Sequence, residues 1–445
     1  MFKESFWRLL TQGINTILGV ITSVIVNRLL GPTYKGTYVI VILTISTMYS
    51  FGNLGIVQAM AYHAAKRIYP RERLWTFGVF FALVWGPILG LIGLLVIFLL
   101  PQQILHLDNL GKIFITLAAL TISTQLISGY LRYYLLGYQE FRLFNISDIL
   151  KNLLAAGISV GLLFVLKNKL LAIYLAWLTV QFVNMSYLIL ITKQPWSLPR
   201  MFIKGMLVEN LKYGFKVYAT NLLQFLNYRL DQFVLNYFLG SGQVGLYSVA
   251  VGLGEYVWQI SDAVQTILFP KVASTSESSA TIMTARVNRN TLLMTAITAL
   301  FLGVFGYWLI YFLYGSEFLP SYSGLLWLLP GIVAFTVVKI LYSDLAGRGH
   351  PEIGSYITGG AVIATLIFDF LLIPKGGLVG AAQASTLAYT VSAIFCVIVY
   401  INITKVNILL LLIPQREDFQ AYLDIMKNVL TKKVKVLQKP NGRHL

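Results

Sequence analysis

The stretch NRLLGPTYKGTY, residues 27–38, closes one long apolar run and opens another, and a near copy, NYFLGSGQVGLY, returns at residues 236–247. Asn27, Leu30, Gly31, Gly36 and Tyr38 recur as Asn236, Leu239, Gly240, Gly245 and Tyr247, each 209 positions on. Glycine reaches positive φ values that other residues avoid, so each copy reads as a tight turn that ends one helix and reverses the chain into the next. A second correspondence supports the repeat: LRYYLLG at 131–137 returns as LYSDLAG at 341–347, 210 positions on, again where an apolar run meets a polar loop. The chain therefore reads as two related halves, residues 1–195 and 211–404, joined by a basic, proline-broken cytoplasmic linker at 196–210 and followed by a basic tail at 405–445.

Composition says what kind of medium those halves fold in. With 57% hydrophobic and 11% charged residues, and a mean hydropathy of +0.73, the 445-residue chain has too little polar surface for a soluble protein of its length. The net charge of +17 would suggest nucleic acid in a soluble protein. Here the basic residues cluster between apolar runs, where they set topology and touch anionic lipid headgroups, so no nucleic-acid partner is expected. In a membrane protein, a two-fold repeat points to a transporter whose halves face each other across a central site.

A helix needs about 20 largely apolar residues to cross a bilayer. On that rule the sequence predicts an all-α polytopic protein of twelve transmembrane helices in two six-helix bundles. The first bundle takes residues 6–30, 38–61, 74–100, 113–136, 144–166 and 170–191; the second takes 212–239, 246–269, 291–314, 325–346, 353–373 and 378–403. With the N-terminus inside, the inner loops hold Lys66, Arg67, Arg71, Arg73, Arg142, Lys193, Arg200, Lys204, Lys271, Arg286, Arg289 and Arg348. The outer loops hold only Lys35, Lys112, Lys167, Lys169 and Lys375, so both termini are expected in the cytoplasm of a cell with the protein in its plasma membrane. In the tail, Phe419, Leu423, Met426 and Leu430 share a helical face ahead of Lys432, Lys433, Lys435 and Lys439, a pattern for a helix lying on the inner leaflet or docking a partner. Removing everything after Pro414 is expected to be tolerated.

No Walker A sequence, HExxH pair, cysteine cluster or nucleophile elbow is present, and the outer loops are too short for a folded domain. His63, His106, His350 and His444 have no ligand spacing, and the single Cys396 sits in an apolar run. Neither an enzyme, a metal site nor a cofactor is expected.

An ionisable side chain at the bilayer centre costs at least about 2.5 kcal/mol on insertion scales, so each needs a partner, water or a ligand. The second half holds most of them: Arg229 and Asp231, Glu255 and Asp262, Lys339 and Asp344, and Asp369. Glu255, Gln259 and Asp262 share one helix face. Arg229 and Asp231, two apart, do not face each other, so Arg229 pairs with another helix, for instance at Glu255, or stands as a cation in a water-filled cavity. The first half carries Gln12, Asn15, Asn27, Arg28, Asn53, Gln58, Gln125, Arg132, Asn145, Asp148, Asn152, Gln181 and Asn184, which serve interhelical hydrogen bonds or a polar path.

The hairpin NRLLGPTYKGTYVIV with FGNLGIVQAM, the exits LLGYQEFRLFN and LAGRGHPEI, and the start GGLVGAAQAST together resemble the polysaccharide and O-antigen flippases of the multidrug/oligosaccharidyl-lipid/polysaccharide exporter superfamily. The resemblance covers residues 1–404 and implies alternating access around a central cavity. The implied substrate is an isoprenoid-diphosphate-linked oligosaccharide, moved from the inner to the outer leaflet. Such a headgroup requires a basic, hydrated cavity, and helix depth makes Arg28, Arg132, Arg229 and Lys339 the candidates to hold it. Asp231, Glu255, Asp262 and Asp344 are candidates for coupling to H+ or Na+, or for pairing with those cations. Membrane lipids and other polysaccharide-assembly proteins are the further partners implied. A drug or cation antiporter of the same superfamily is the alternative, and a membrane enzyme of glycan assembly a third.

Overall fold

The computed structural model describes residues 2–99, 105, 109–196, 204–416 and 418, and these are helical with no strand. The expected tail helix beyond residue 418, most of the linker, His106 and His444 lie outside the described residues. The helices are α1 (Phe2–Gly52), α2 (Ile56–Lys66), α3 (Arg71–Leu99), α4 (Asn109–Leu120), α5 (Ile122–Gly137), α6 (Phe141–Val165) and α7 (Lys169–Thr192). They continue as α8 (Lys204–Leu239), α9 (Ser241–Ala273), α10 (Glu277–Tyr314), α11 (Ser321–Gly347), α12 (Glu352–Thr404) and the short α13 (Ile408–Leu412).

Among the described residues, seven helices are long and apolar enough to cross a membrane, or eight if α4 and α5, bent by 48°, form one span. Rows of large apolar side chains such as Leu91, Leu95, Phe98 and Leu99 on α3 are exposed, as lipid-facing surfaces are. The chain is a multi-pass membrane protein. Two of the seven, α1 and α12, are broken midway, at Gly31 (φ 71°) and Gly377 (φ 57°). The long helices α8 and α9, which carry Asp231, Glu255 and Asp262 among other polar residues, are not among the seven.

The chain forms two compact units. One holds residues 1–252, 305–328 and 358–388; the other holds 253–304, 329–357 and 389–445. In the first, α2, α3 and α5 pack around Trp75, Tyr130 and Tyr134, each at most 2% exposed. The indole of Trp75 donates to Thr192 Oγ1 at 2.9 Å, and that of Trp85 caps the end of α1 at the Gly52 carbonyl at 2.8 Å. Each indole thus meets its one polar obligation locally, whereas the hydroxyls of Tyr130 and Tyr134 are buried without a hydrogen-bond partner. In the second, Leu268, Val272, Ala280 and Ile340 form a smaller apolar core.

The repeated turns behave alike. Gly31 and Gly240, equivalent in the two copies, both take positive φ, 71° and 77°. The copies also touch each other within the first unit. A Cβ on Gly36 would lie 1.6 Å from the Ser241 carbonyl oxygen and 2.8 Å from Gly245 N; a Cβ on Gly245 would lie 1.9 Å from the Pro32 carbonyl oxygen and 3.0 Å from Gly36 N. Pro32 and Ser241 are themselves 209 apart, so the contact is reciprocal. A second close approach joins Gly55 and Gly214, whose added Cβ atoms would lie 2.2 Å and 2.6 Å from the other's carbonyl oxygen. Beside it, Tyr62 stacks on Tyr213 at 4.0 Å and His63 Nδ1 lies 3.1 Å from Asn210 Oδ1.

Because Thr37 Oγ1 lies 3.2 Å from Ser241 Oγ, the paired substitutions Thr37→Cys and Ser241→Cys, with the buried Cys396 replaced by alanine, should form a disulfide. Adding Gly36→Ala should suppress that cross-link, since the new methyl meets backbone that cannot rotate away. Undiminished cross-linking would mean the seam has slack.

Candidate functional site

The second helical turn of α5 begins a polar face: Gln125, Ser128 and Arg132 follow one another at i, i+3 and i+7. They line a cavity of about 240 Å³ together with Tyr49 of α1, Ser147, Asp148 and Lys151 of α6, and Gln181 and Asn184 of α7. Gly129 makes room for it: the Tyr49 hydroxyl would be 2.4 Å from a Cβ there. Arg132 Nη2 donates to Asp148 Oδ2 at 2.5 Å, and its guanidinium stacks over Phe144 at 4.5 Å. With Arg132 and Lys151 against Asp148, the lining carries one net positive charge. Arg132 Nε, Gln125 Nε2 and Ser128 Oγ are buried without a hydrogen-bond partner. Buried donors are costly to leave unmade, and three of them on residues that line one cavity suit an oxygen-rich anion.

A second polar cluster lies in the same compact unit, on α8, α9 and α12. Asp231 is 2% exposed; its Oδ2 accepts from Tyr247 Oη at 2.6 Å and Ser385 Oγ at 3.1 Å, and its Oδ1 from the Gln232 amide at 2.8 Å. One turn earlier, Asn227 Oδ1 accepts from Thr365 Oγ1 at 2.9 Å. Asp369, one turn after Thr365, is fully buried with neither carboxyl oxygen hydrogen-bonded, within electrostatic range of Asp231.

The remaining candidates are dispersed. Arg28 donates its Nε to the Leu313 carbonyl at 2.7 Å and its Nη2 to that of Phe312, capping the last turn of α10. It lines a different cavity from Arg132, with Tyr311, Tyr314 and Glu317. Arg229 is half-buried on α8, with Nη1 3.4 Å from the Tyr228 carbonyl. In the second unit, Lys339 pairs with Asp262 at 2.6 Å and lies 4.7 Å over the Trp258 ring. Asp344 accepts from Arg348, four residues on, and from Thr284. Glu255 is half-buried on α9.

Two lysines escaped the sequence reading. Lys151 was passed over between Asp148 and Asn152, although a lysine inside a predicted span is itself a signal. Lys35, assigned to an outer loop, lies on the first turn after the Gly31 break and lines a cavity of its own.

Comparison with solved structures places the fold. It superimposes on the lipid II flippase MurJ in an inward closed conformation with a TM-score of 0.74 at 14% identity, over 100% of this chain and 94% of that one. An inward-facing multidrug resistance transporter of the MATE family gives 0.69 at 14% identity, over 88% and 94%. A MOP superfamily transporter from Pyrococcus furiosus gives 0.62 at 15%, over 91% and 95%. The chain shares its fold with these three proteins.

Sequence narrows this. Residues 25–323 match the polysaccharide biosynthesis protein family, and the chain belongs to it. It is similar to the membrane protein MJ1068 of Methanocaldococcus jannaschii, 29% identical over 198 residues, which is 42% of this chain and 38% of that protein. It is also similar to the probable low-salt glycan biosynthesis flippase Agl15 of Haloferax volcanii, 27% identical over 169 residues, 37% of this chain and 36% of that one. The chain thus matches little more than a third of the length of these two relatives.

Proposed function

We propose that the protein carries an isoprenoid-diphosphate-linked oligosaccharide from the inner to the outer leaflet of the plasma membrane by alternating access. In this reading twelve spans form two six-helix bundles, with both termini in the cytoplasm. The observation that carries it is the α5–α6–α7 cavity, lined by two cations, Arg132 and Lys151, and one carboxylate, Asp148, with unpartnered donors on Arg132, Gln125 and Ser128. An arriving diphosphate competes with Asp148 for the Arg132 fork, and Lys151 is placed to neutralise whichever anion is displaced. Ser128, Gln125, Gln181 and Asn184 offer the hydroxyl and amide contacts that a sugar takes. Arg229 remains a candidate for the same headgroup from the second half.

Asp369 and Asp231 supply the coupling. A buried carboxylate without donors is stable only when it holds a proton or a cation, and the oxygens of Asp231, Asn227, Thr365 and Ser385 surround hard cations well. The same acids favour a second reading, a drug or cation antiporter. Purified protein in liposomes holding a fluorescent isoprenoid-diphosphate disaccharide separates the two. Protein-dependent movement of the labelled lipid to the face reached by a membrane-impermeant quencher supports the flippase; exchange of a cationic dye for H+ or Na+ with no lipid movement overturns it. In that assay Asp369→Asn should remove the dependence of rate on the H+ or Na+ gradient. An unaltered dependence would place coupling elsewhere.

A further inference from the structure

The cavity lined by Lys35 opens a further question about the first half. It measures about 260 Å³ and is lined by Thr22, Ser23, Lys35, Tyr38, Asn152 and Ser159, among others. Among the described residues Lys35 is the one charged residue lining it; its ammonium lies 5.8 Å from the Tyr38 ring. The hydroxyls of Thr22, Ser23 and Ser159 and the amide of Asn152 share the lining with Gly19, Val26, Ala155 and Ile173; the Thr22 hydroxyl donates to the Leu18 carbonyl at 2.7 Å, and Ser23 Oγ accepts from Asn27 Nδ2 at 3.2 Å.

This cavity and the Arg132 cavity share a helix face. Asp148, Lys151 or Asn152, Ala155 and Ser159 fall at i, i+3 or i+4, i+7 and i+11 on α6, a single stripe. Asp148 and Lys151 line the first cavity, Asn152, Ala155 and Ser159 the second. At 1.5 Å per residue, Lys151 and Ser159 stand about 12 Å apart along the axis. The opposite wall agrees: Gln181 and Asn184 of α7 line the first cavity, and Ile173, earlier on the same helix, lines the second.

We infer that the Lys35 cavity is a second binding station for a phosphate-bearing headgroup, taken up after the Arg132 station along the α6 stripe. This rests on the flippase reading above and adds to it a position for the headgroup nearer the outer end of the first half. One cation without a competing carboxylate holds a diphosphate more weakly than the Arg132 fork does, as suits a station passed through before release.

The test uses the full chain in nanodiscs with Cys396 replaced by alanine and one reporter at a time, Ser147→Cys in the first cavity or Ser159→Cys in the second. Labelling by a small maleimide is measured with and without a polyprenyl diphosphate lipid, and separately with inorganic pyrophosphate. Protection of both reporters by the lipid is expected, with protection of Ser159→Cys lost in Lys35→Gln and kept in Lys35→Arg, and protection of Ser147→Cys unchanged by either. Protection of Ser147→Cys alone would overturn the second station and leave the flippase reading standing. Protection of neither would overturn both. Protection of Ser159→Cys by pyrophosphate but not by the lipid would make it a free-phosphate site and remove it from the lipid's path.

Discussion

Replacing Arg132 with alanine should all but stop movement of the lipid-linked glycan, while Arg132→Lys keeps a measurable fraction. A hydrogen bond to a charged group contributes about 1.5–3 kcal/mol, which for a diphosphate oxygen is roughly 10- to 150-fold in affinity. Alanine removes every such contact from Arg132 and leaves Asp148 facing the headgroup with only Lys151 to offset it. Lysine restores the charge without the planar fork, so it recovers attraction but not bidentate geometry. Asp148→Asn should act oppositely on binding, because the internal competitor for the guanidinium is gone: the headgroup binds more tightly and leaves more slowly. Quencher-accessible lipid in the liposome assay measures the first effect, and equilibrium binding of the polyprenyl diphosphate measures the second. Wild-type transport by Arg132→Ala, in protein that inserts normally, would remove the cavity from the mechanism.

The second large effect concerns the chain's end. Arg289, near the start of α10, is 7% exposed and grips Asp418 with a fork, Nε to Oδ2 at 2.7 Å and Nη2 to Oδ1 at 3.0 Å. Its Nη1 donates to the Leu410 carbonyl, while Asn288 Nδ2 donates to that of Leu411 at 3.0 Å. Asp418 is 1% exposed, also accepts from the Gln415 amide at 2.9 Å, and lies 3.7 Å from Arg286. Removing one partner of a buried ion pair costs about 3–5 kcal/mol, because the other charge is left without compensation. Arg289→Ala, or truncation after Pro414, should therefore lower the unfolding temperature clearly, whereas truncation after residue 420 should leave it near wild type. The sequence alone made everything after Pro414 dispensable; the ion pair moves that boundary past Asp418.

The pH dependence follows from the same pair. The Arg289 hydrogen bonds hold the Asp418 carboxyl below the usual aspartate range. A lowered folded-state value means the contribution is fully present above the unfolded value of about 3.9 and is lost as pH falls through the lower folded one. Stability from this contact should be flat through neutral pH and decline only under acid, a decline absent in Asp418→Asn. A matching decline in that variant would assign the acid sensitivity to other carboxylates.

What could be read from sequence was what is local. Gly31 and Gly240 announce themselves because glycine takes a positive φ at least cost, and the apolar runs announce long helices by their length. Residues 212–239 and 246–269 are read as spans on the same rule of length, and the helices they fall in, α8 and α9, are not among the seven apolar enough to cross a membrane. Pairing was not legible. Lys339 meets Asp262, 77 positions away, and Arg28 meets the carbonyl end of α10, which no side-chain pattern records. The same holds for the empty-handed donors Arg132 Nε and Ser128 Oγ: depth in a helix suggested that Arg132 mattered, and only the packing of α5 on α6 and α7 shows what surrounds it.

The glycine contact between the two similar turns is reciprocal. Two backbones that meet with Gly36 opposite Gly245 and Gly245 opposite Gly36 reproduce what a homodimer does on its symmetry axis, where one residue faces its own image. The joint is therefore symmetric in what it excludes: a methyl group on either glycine meets the backbone of the other turn.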